Sequence, residues 1–378
     1  MYCSPKNSKN DITCFSNLSL IKIAKEYNKN SLHHNKIIIP EKLSNDYRSK
    51  LWNDIKNAMK QYTPCDSDYC LLNTELVKGI NDLEINNTFR PEKPIEWYKN
   101  NKTWLSTIDI DKVMSQYEDN TDFSFIGPVP IDFDYQIGFG QCIANELCKL
   151  DVYKLYKNNK RKLGVVFNLD PHYMSGSHWT AMYSDLDKGG IYYFDSYGVL
   201  PPKEVIELMR RMKVHGNLMI QKNIININDL LNEHNLVSKY EIVNNEKTKL
   251  KVNNILKYQI HTPVFFINDI NNSNVNVDSN YFNTIKSIGK DYIELDKPIR
   301  DNENTGILLT KGFQCFYNDQ RFQFKDSECG VFSMHFLTEM LKNRTFDEVI
   351  HDIIHDDAVN KKRDYFYRPN IEKIKKHK

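Results

Sequence analysis

Apolar residues recur along Val331 to Leu341 at Phe332, Phe336, Leu337, Met340 and Leu341. That 3.6-residue period predicts a helix with a buried face. A second stripe, Leu43, Tyr47, Leu51, Ile55 and Met59, predicts a helix over 40–62 whose apolar side packs on a neighbouring domain or docks a partner. Shorter helices are expected over 20–28, 141–156 and 201–212. The last has Pro201 and Pro202 in its opening positions, where a missing N–H costs nothing. Short apolar runs bounded by Gly, Pro and Asp predict strands over 123–130, 163–168, 178–183, 190–195 and 313–324. Further runs at 258–268, 292–295 and 306–309, separated by Asn-rich stretches, read as a small β-rich lobe. The closing segment 345–368 carries Phe346, Val349, Ile350, Ile353 and Ile354 on one face and reads as a helix and tail. The order of elements predicts an α+β fold: a central mixed, mostly antiparallel sheet with helices against it.

Proline marks a linker at 89–94, and residues 1–20 read as a polar arm. The expected organisation is an N-terminal helical extension over 1–95, a core domain over 96–215 and 311–378, and an insertion lobe over 216–310.

Composition narrows the class. The 378 residues are 40% hydrophobic and 26% charged, with a net charge of +2, so no general attraction to nucleic acid or to a membrane surface follows. The Lys-rich stretches 361–363 and 373–378 read as solvated tails. No apolar run reaches the roughly 18 residues of a membrane span, and no secretory signal opens the chain, so a non-secreted protein without a membrane partner is expected. The eight cysteines are scattered, which argues for free thiols in a reducing compartment rather than a disulfide framework. Zinc at Cys65/Cys70, at Cys142/Cys148 or at the i, i+4 pair His351/His355 lacks the remaining ligands, and no metal site is expected. Heavy use of Asn, Lys and Ile looks like the coding bias of an AT-rich genome.

Chemistry concentrates at the start of the Val331–Leu341 stripe. Asp326 and Ser327 are good N-cap types, so Cys329 sits at a helix N-terminus, where a thiolate is favoured. Gly330 beside it lets a substrate backbone come close. A nucleophile needs a base, and the base an orienter. His178 opens one strand-like run and Asp195 closes the next, with a turn at 184–189 between them. Antiparallel pairing through that turn makes the two neighbours. His172 is a rival base without that alignment, and Asp185 and Asp187 in the turn are rival orienters. Gln323, six residues before Cys329, can offer an amide donor to an oxyanion.

His178-Trp179, Asp195-Ser196, and Gln323 followed by Cys329-Gly330 resemble the ordered motifs of the Ulp/adenain-like cysteine proteases. That group includes SUMO-specific proteases, the adenovirus protease and processing proteases of large cytoplasmic DNA viruses. Trp104-Leu105-Ser106 ahead of a helix is similar to a further motif of the group, and the resemblance covers roughly 100–215 and 310–370. It implies a Ulp-type fold, a Cys329–His178–Asp195 triad with Gln323 at the oxyanion, and a substrate clamp of Trp104 and Trp179 around a small P1–P2 pair such as Gly-Gly or Ala-Gly. It implies no cofactor. SUMO-cleaving members carry Leu-Asn-Asp after the first tryptophan, where this chain has Leu105-Ser106-Thr107, a departure that bears on SUMO recognition.

The function expected is endopeptidase cleavage of viral structural or core polyproteins in the virion and host cytoplasm, most similar to the giant-virus branch of the group. The alternatives are removal of SUMO or another ubiquitin-like protein from its conjugates, and a catalytically silent virion scaffold.

Overall fold

The protein is described by a computed structural model for residues 3–5, 12–29, 35–40, 44–60, 62–63, 65, 67–80, 83–118, 121–231, 233–268, 277, 283–299 and 305–370. Leu43, the 373–378 tail and much of the expected arm lie outside the described residues. Contacts group the chain into two compact units, Met1–Asn120 with Asp357–Lys378, and Thr121–Asp356. That division differs from the motif-based one at 95/96 and 215/216. It keeps the Thr107–Met114 helix with the N-terminal helices and the C-terminal segment, because the Tyr367 hydroxyl donates to Asp109 O at 2.9 Å and the Gln116 amide to Phe89 O at 2.8 Å.

The first unit is helical. Asn17–Lys29 and Asn45–Lys60 bury Leu20, Ile23, Leu51, Trp52 and Ile55 around Phe15. Of the expected stripe, Leu51, Ile55 and Met59 face this core, while Tyr47 stays exposed. Ser106 and Asp109 close a reciprocal capping box at Thr107–Met114, which fixes where that helix starts. Two disulfides, Cys3–Cys14 and Cys65–Cys70, correct the free-thiol expectation here. The pairs lie 11 and 5 residues apart in sequence, and the scatter of all eight cysteines along the chain does not point to them.

The second unit starts with β1 (Phe123–Pro130), a small hairpin of β2 (Gln136–Gly138) and β3 (Gln141–Cys142), then β4 (Lys162–Asn168), β5 (Trp179–Asp185) and β6 (Gly190–Phe194). The helix expected over 141–156 is broken into Asn145–Cys148 and Val152–Lys157. The Asp151 carboxylate accepts from the N–H groups of Tyr153 and Lys154 and restarts the helix. A third disulfide joins Cys142 to Cys148 in this segment. After β6 a helix runs over Lys203–Gln221, past the expected end at 212, because Gly216, Met219 and Ile220 are buried. A Cβ on Gly216 would lie 2.5 Å from the Phe313 ring, so only glycine allows that approach.

Next come β7 (Leu236–Val243), β8 (Glu246–Val252), β9 (Pro263–Ile267), β10 (Asn283–Ile288), β11 (Tyr292–Leu295) and β12 (Thr305–Thr310), which close a barrel in the order β10-β11-β8-β7-β12-β9. Its core holds Tyr240, Leu250, Val264, Ile285, Ile293 and Leu308. The barrel meets the Lys203–Gln221 helix through polar groups. Lys213 Nζ donates to Gln259 Oε1 at 3.0 Å and the Asn217 amide to His261 O at 2.8 Å. Burial lowers the Lys213 ammonium to about 8.

The chain then returns as β13 (Gln314–Tyr317). The central sheet has the order β1-β4-β5-β6-β13. Its two outer pairings are parallel and its inner two antiparallel. The fold is therefore α+β with a central mixed sheet, as its pattern predicts. Cys329–Met340 forms a helix packed on β5. Every residue of it but His335 is buried, off-stripe Ser333, Met334 and Thr338 included, so the single face expected from its period is too narrow. On the expected face, Phe336 stacks on Phe194 and meets Phe346 edge-on.

Candidate active site

The turn between β5 and β6 sets the site. The Asp185 carboxylate accepts from the N–H groups of Asp187 and Lys188, closing a tight reversal, so neither Asp185 nor Asp187 reaches the end of the sheet where His178 lies. The ladder runs from Asp185↔Gly190 to Ala181↔Phe194. Carried beyond the ladder, that register sets His178 across from Tyr197, with Asp195 beside it. The two rings stack with centroids 4.6 Å apart. His178 Nε2 meets Asp195 Oδ1 at 2.7 Å, and Cys329 lies near enough to the imidazole to act on its charge.

Asp195 is buried and held from several sides. Its Oδ1 accepts the Tyr197 N–H at 2.8 Å, and Asn318 brackets its backbone, accepting from Asp195 N–H at 2.9 Å and donating to Asp195 O at 2.8 Å. Asn318 follows β13, so the parallel pairing of β6 with β13 delivers it. Burial pushes the His178 imidazolium down, but the hydrogen bonds and charges of Asp195 and Cys329 outweigh it and raise His178 to about 9. A proton from the thiol is thus well held on this ring.

Gln323 is fully buried next to the pair. Its backbone N–H and that of Phe322 both donate to Ser196 O at 2.8 Å. The Ser196 hydroxyl donates to Gln323 Oε1 at 2.7 Å, which turns Nε2 toward Tyr197 Oη at 3.3 Å and Lys325 O at 2.5 Å. The segment from Gln323 to Cys329 is pinned by Asp356, whose carboxylate accepts from Phe324 N–H at 3.0 Å and Lys325 N–H at 3.1 Å.

Cys329 is the first residue of its helix and is buried. The expected cap is corrected: Glu328 occupies the N-cap without a side-chain cap bond, and Ser327 instead donates to the Glu328 carboxylate at 2.9 Å. Gly330 follows Cys329 within the helix and is buried too.

Trp179 is buried at the start of β5, paired with Asn168. Trp104 belongs to the other compact unit and is 47% exposed. The rival base His172 forms a separate pair, its Nδ1 2.6 Å from Asp132 Oδ2, stacked on Tyr135. Tyr197, Asn318 and Asp356 are absent from the residues singled out by sequence. Tyr197 directly follows the Asp195-Ser196 motif and could have been found by extending the strand register past Phe194. Asn318 and Asp356 act through tertiary contacts that leave no local signal.

The arrangement can form a thiolate–imidazolium pair held by a carboxylate, the starting state for attack on a carbonyl carbon.

No family model matches the chain. A putative thiol protease of Acanthamoeba polyphaga mimivirus is 26% identical over 391 residues, spanning 100% of this chain and 96% of that one. A SUMO-1 cysteine protease of African swine fever virus is 27% identical over 170 residues, 41% of this chain and 61% of that protein. Among solved structures, a crystal structure of an African swine fever virus protease aligns with a TM-score of 0.48 at 17% identity, covering 89% of this chain and 95% of that one. The SUMO protease Ulp1 aligns with a TM-score of 0.32 at 14% identity, covering 69% and 74%. Among the described residues no helix is long and apolar enough to cross a membrane.

Proposed function

We propose that this chain is a cysteine protease of the Ulp-like, large-DNA-virus kind, that Cys329, His178 and Asp195 are its triad and that it cuts after small residues at Gly-Gly or Ala-Gly sites. The observation that carries this reading is one imidazole held between a buried carboxylate and a buried thiol at a helix N-terminus. The Cys329 thiol passes its proton to His178, and the thiolate attacks the scissile carbonyl. His178 then protonates the leaving amine, and water hydrolyses the thioester. The Cys329 backbone N–H and the Gln323 amide donate to the oxyanion. To do so Gln323 Nε2 exchanges one of its present partners, Lys325 O or Tyr197 Oη. Gly330 admits the substrate backbone. Trp179, next in sequence to His178, borders the acyl site. Trp104 takes the role of second clamp residue on the strength of its Trp-Leu-Ser motif. No metal or organic cofactor enters these steps.

The substrate in this reading is a viral structural or core polyprotein, cut during maturation in the virion or in the host cytoplasm. A ubiquitin-like tail is the second reading, favoured by the SUMO-1 designation of the swine fever virus relative. A peptide electrophile ending in Gly-Gly is the test. Labelling of Cys329 that disappears in Cys329→Ala supports the reading, and a wild-type protein that stays unlabelled under reducing conditions overturns it. Rapid cleavage of a SUMO-tailed fusion, with core precursors left intact, would move the substrate to the second reading.

A further inference from the structure

We propose that Tyr197 is a positioning residue that joins the two halves of this site, the thiolate-forming pair and the oxyanion amide. The inference rests on the triad reading above and deepens it.

One residue touches all three supporting groups. Its ring stacks on the His178 imidazole at 4.6 Å with 25° between the planes. Its backbone N–H donates to Asp195 Oδ1, the same oxygen that meets His178 Nε2. Its hydroxyl oxygen accepts from Gln323 Nε2 at 3.3 Å. The backbone contact survives any side-chain change, so the ring and the hydroxyl can be separated by substitution. Tyr197 is partly exposed, and its side chain is not part of the buried core. A conservative change there leaves the packing of the unit in place.

Each contact has a distinct consequence. An aromatic face against an imidazolium stabilises the charged ring and limits its rotation out of line with Cys329. The hydroxyl holds the Gln323 amide in the orientation that Ser196 also sets through Oε1. The ring's charged surroundings are few. The Arg321 guanidinium lies 5.3 Å from its centroid, and Cys329, Asp326 and Asp195 are the acidic or thiol groups that act on it. Asp195 and Cys329 are the groups acting on His178 itself. Arg321 is tied to Gln323 O at 2.8 Å and reaches Phe324 as well, so its position does not depend on the Tyr197 hydroxyl.

Two variants and two readouts separate these effects. Alkylation of Cys329 by iodoacetamide, followed against pH, reports the thiolate–imidazolium pair and needs no peptide substrate. Turnover of a Gly-Gly peptide amide reports the oxyanion step. Tyr197→Phe keeps the ring and drops the hydroxyl. The expectation is an unchanged alkylation profile and a kcat lowered about three- to tenfold at constant KM, the loss of one weak positioning bond. Tyr197→Leu drops the ring too, and the high-pH limb of the alkylation profile moves down by about one pH unit, the scale of a desolvated cation–π contact. An alkylation profile in Tyr197→Leu that overlays the wild type overturns the inference, as does a Tyr197→Phe profile shifted as far as that of Tyr197→Leu. The two failures are distinguishable: alkylation of the wild type that persists in Cys329→Ala overturns the triad reading, whereas Cys329-dependent alkylation indifferent to Tyr197 overturns only this inference. If the peptide goes uncut, the alkylation profiles decide the matter alone.

Discussion

Removing the charge of Asp195 while keeping its shape isolates what that carboxylate does. Asp195→Asn retains an oxygen within reach of His178 Nε2 and the backbone bracket of Asn318. What it loses is the charge that offsets the burial of the imidazolium. In the wild type His178 stands at about 9 against 6.5 for an ordinary histidine. That gap is worth about 3 kcal/mol, shared between Asp195 and the Cys329 thiolate. At pH 7.5 the wild-type ring is therefore about 97% protonated, and a ring returned to its ordinary value would be about 10% protonated. The ion pair would fall about tenfold in population, and turnover by about ten- to several-hundredfold, because the amide also competes for the wrong tautomer. The assay is the pH profile of Cys329 alkylation, with the imidazole nitrogens followed by NMR. A high-pH limb that stays near 9 in Asp195→Asn would refute the argument and leave the elevation of His178 to Cys329 alone. The same shift governs stability. A histidine whose folded value is raised binds its proton more tightly in the native state. Its contribution is full below pH 6.5 and is lost as pH rises through about 9. The stability gap between wild type and Asp195→Asn should accordingly narrow across that window.

Other expectations follow from single contacts. Lys213 is buried, donates to the neutral Gln259 amide and has an ammonium lowered to about 8, so Lys213→Met should raise the melting temperature by a few degrees, and the gain should shrink between pH 8 and 10.5 as the native lysine loses its proton. Gly198 has φ +72° and a Cβ there would lie 2.8 Å from Asp319 O, so Gly198→Ala should cost about 1–3 kcal/mol in denaturant unfolding; a neutral result would mean the 318–322 segment can give way. Asp356→Ala frees the N–H groups of Phe324 and Lys325, and kcat should fall with little change in the Cys329 alkylation profile, measured on the same protein sample. Trp104→Ala should raise KM for a Gly-Gly peptide more than it lowers kcat; equal effects on both would argue against a clamp.

Much of the site could be read from the chain because its parts are local in sequence. His178, the turn at 184–189 and Asp195 lie on two consecutive strands, and hairpin pairing alone makes them neighbours. The helix behind Cys329 was legible from its period, but its burial was not. A stripe reports one apolar face, but Val331, Ser333, Met334, Thr338 and Glu339, off that stripe, are buried as well by packing that no local period shows. The lobe after Gln221 showed itself at β9, β11 and β12, whose apolar runs are dense. β7 and β8 were missed because Lys239, Glu241, Glu246, Lys249 and Lys251 interrupt them: one face of each is turned to solvent, which blurs a short strand. The cysteines misled for a related reason. Scatter over a long chain says little about pairs such as Cys65 and Cys70 that sit five residues apart. Asn318, which holds the backbone of Asp195 from 123 residues away, carries no signature that periodicity or spacing could expose.

That long reach orders the assembly of the proposed site during synthesis. By the time β5 and β6 have left the ribosome, His178 and Asp195 are both made, yet Cys329 has not been synthesised. The strand that must lie parallel to β6 comes only after six strands of barrel. Barrel pairings are antiparallel and join segments nearer in sequence, so they can form first. Since β12 ends at Thr310 and β13 begins at Gln314, a closed barrel hands β13 to the sheet edge and removes most of the loop-closure entropy that would otherwise delay it. On the proposed triad, cotranslational folding thus completes the site only after the barrel has closed, a matter of timing set by the order of the strands.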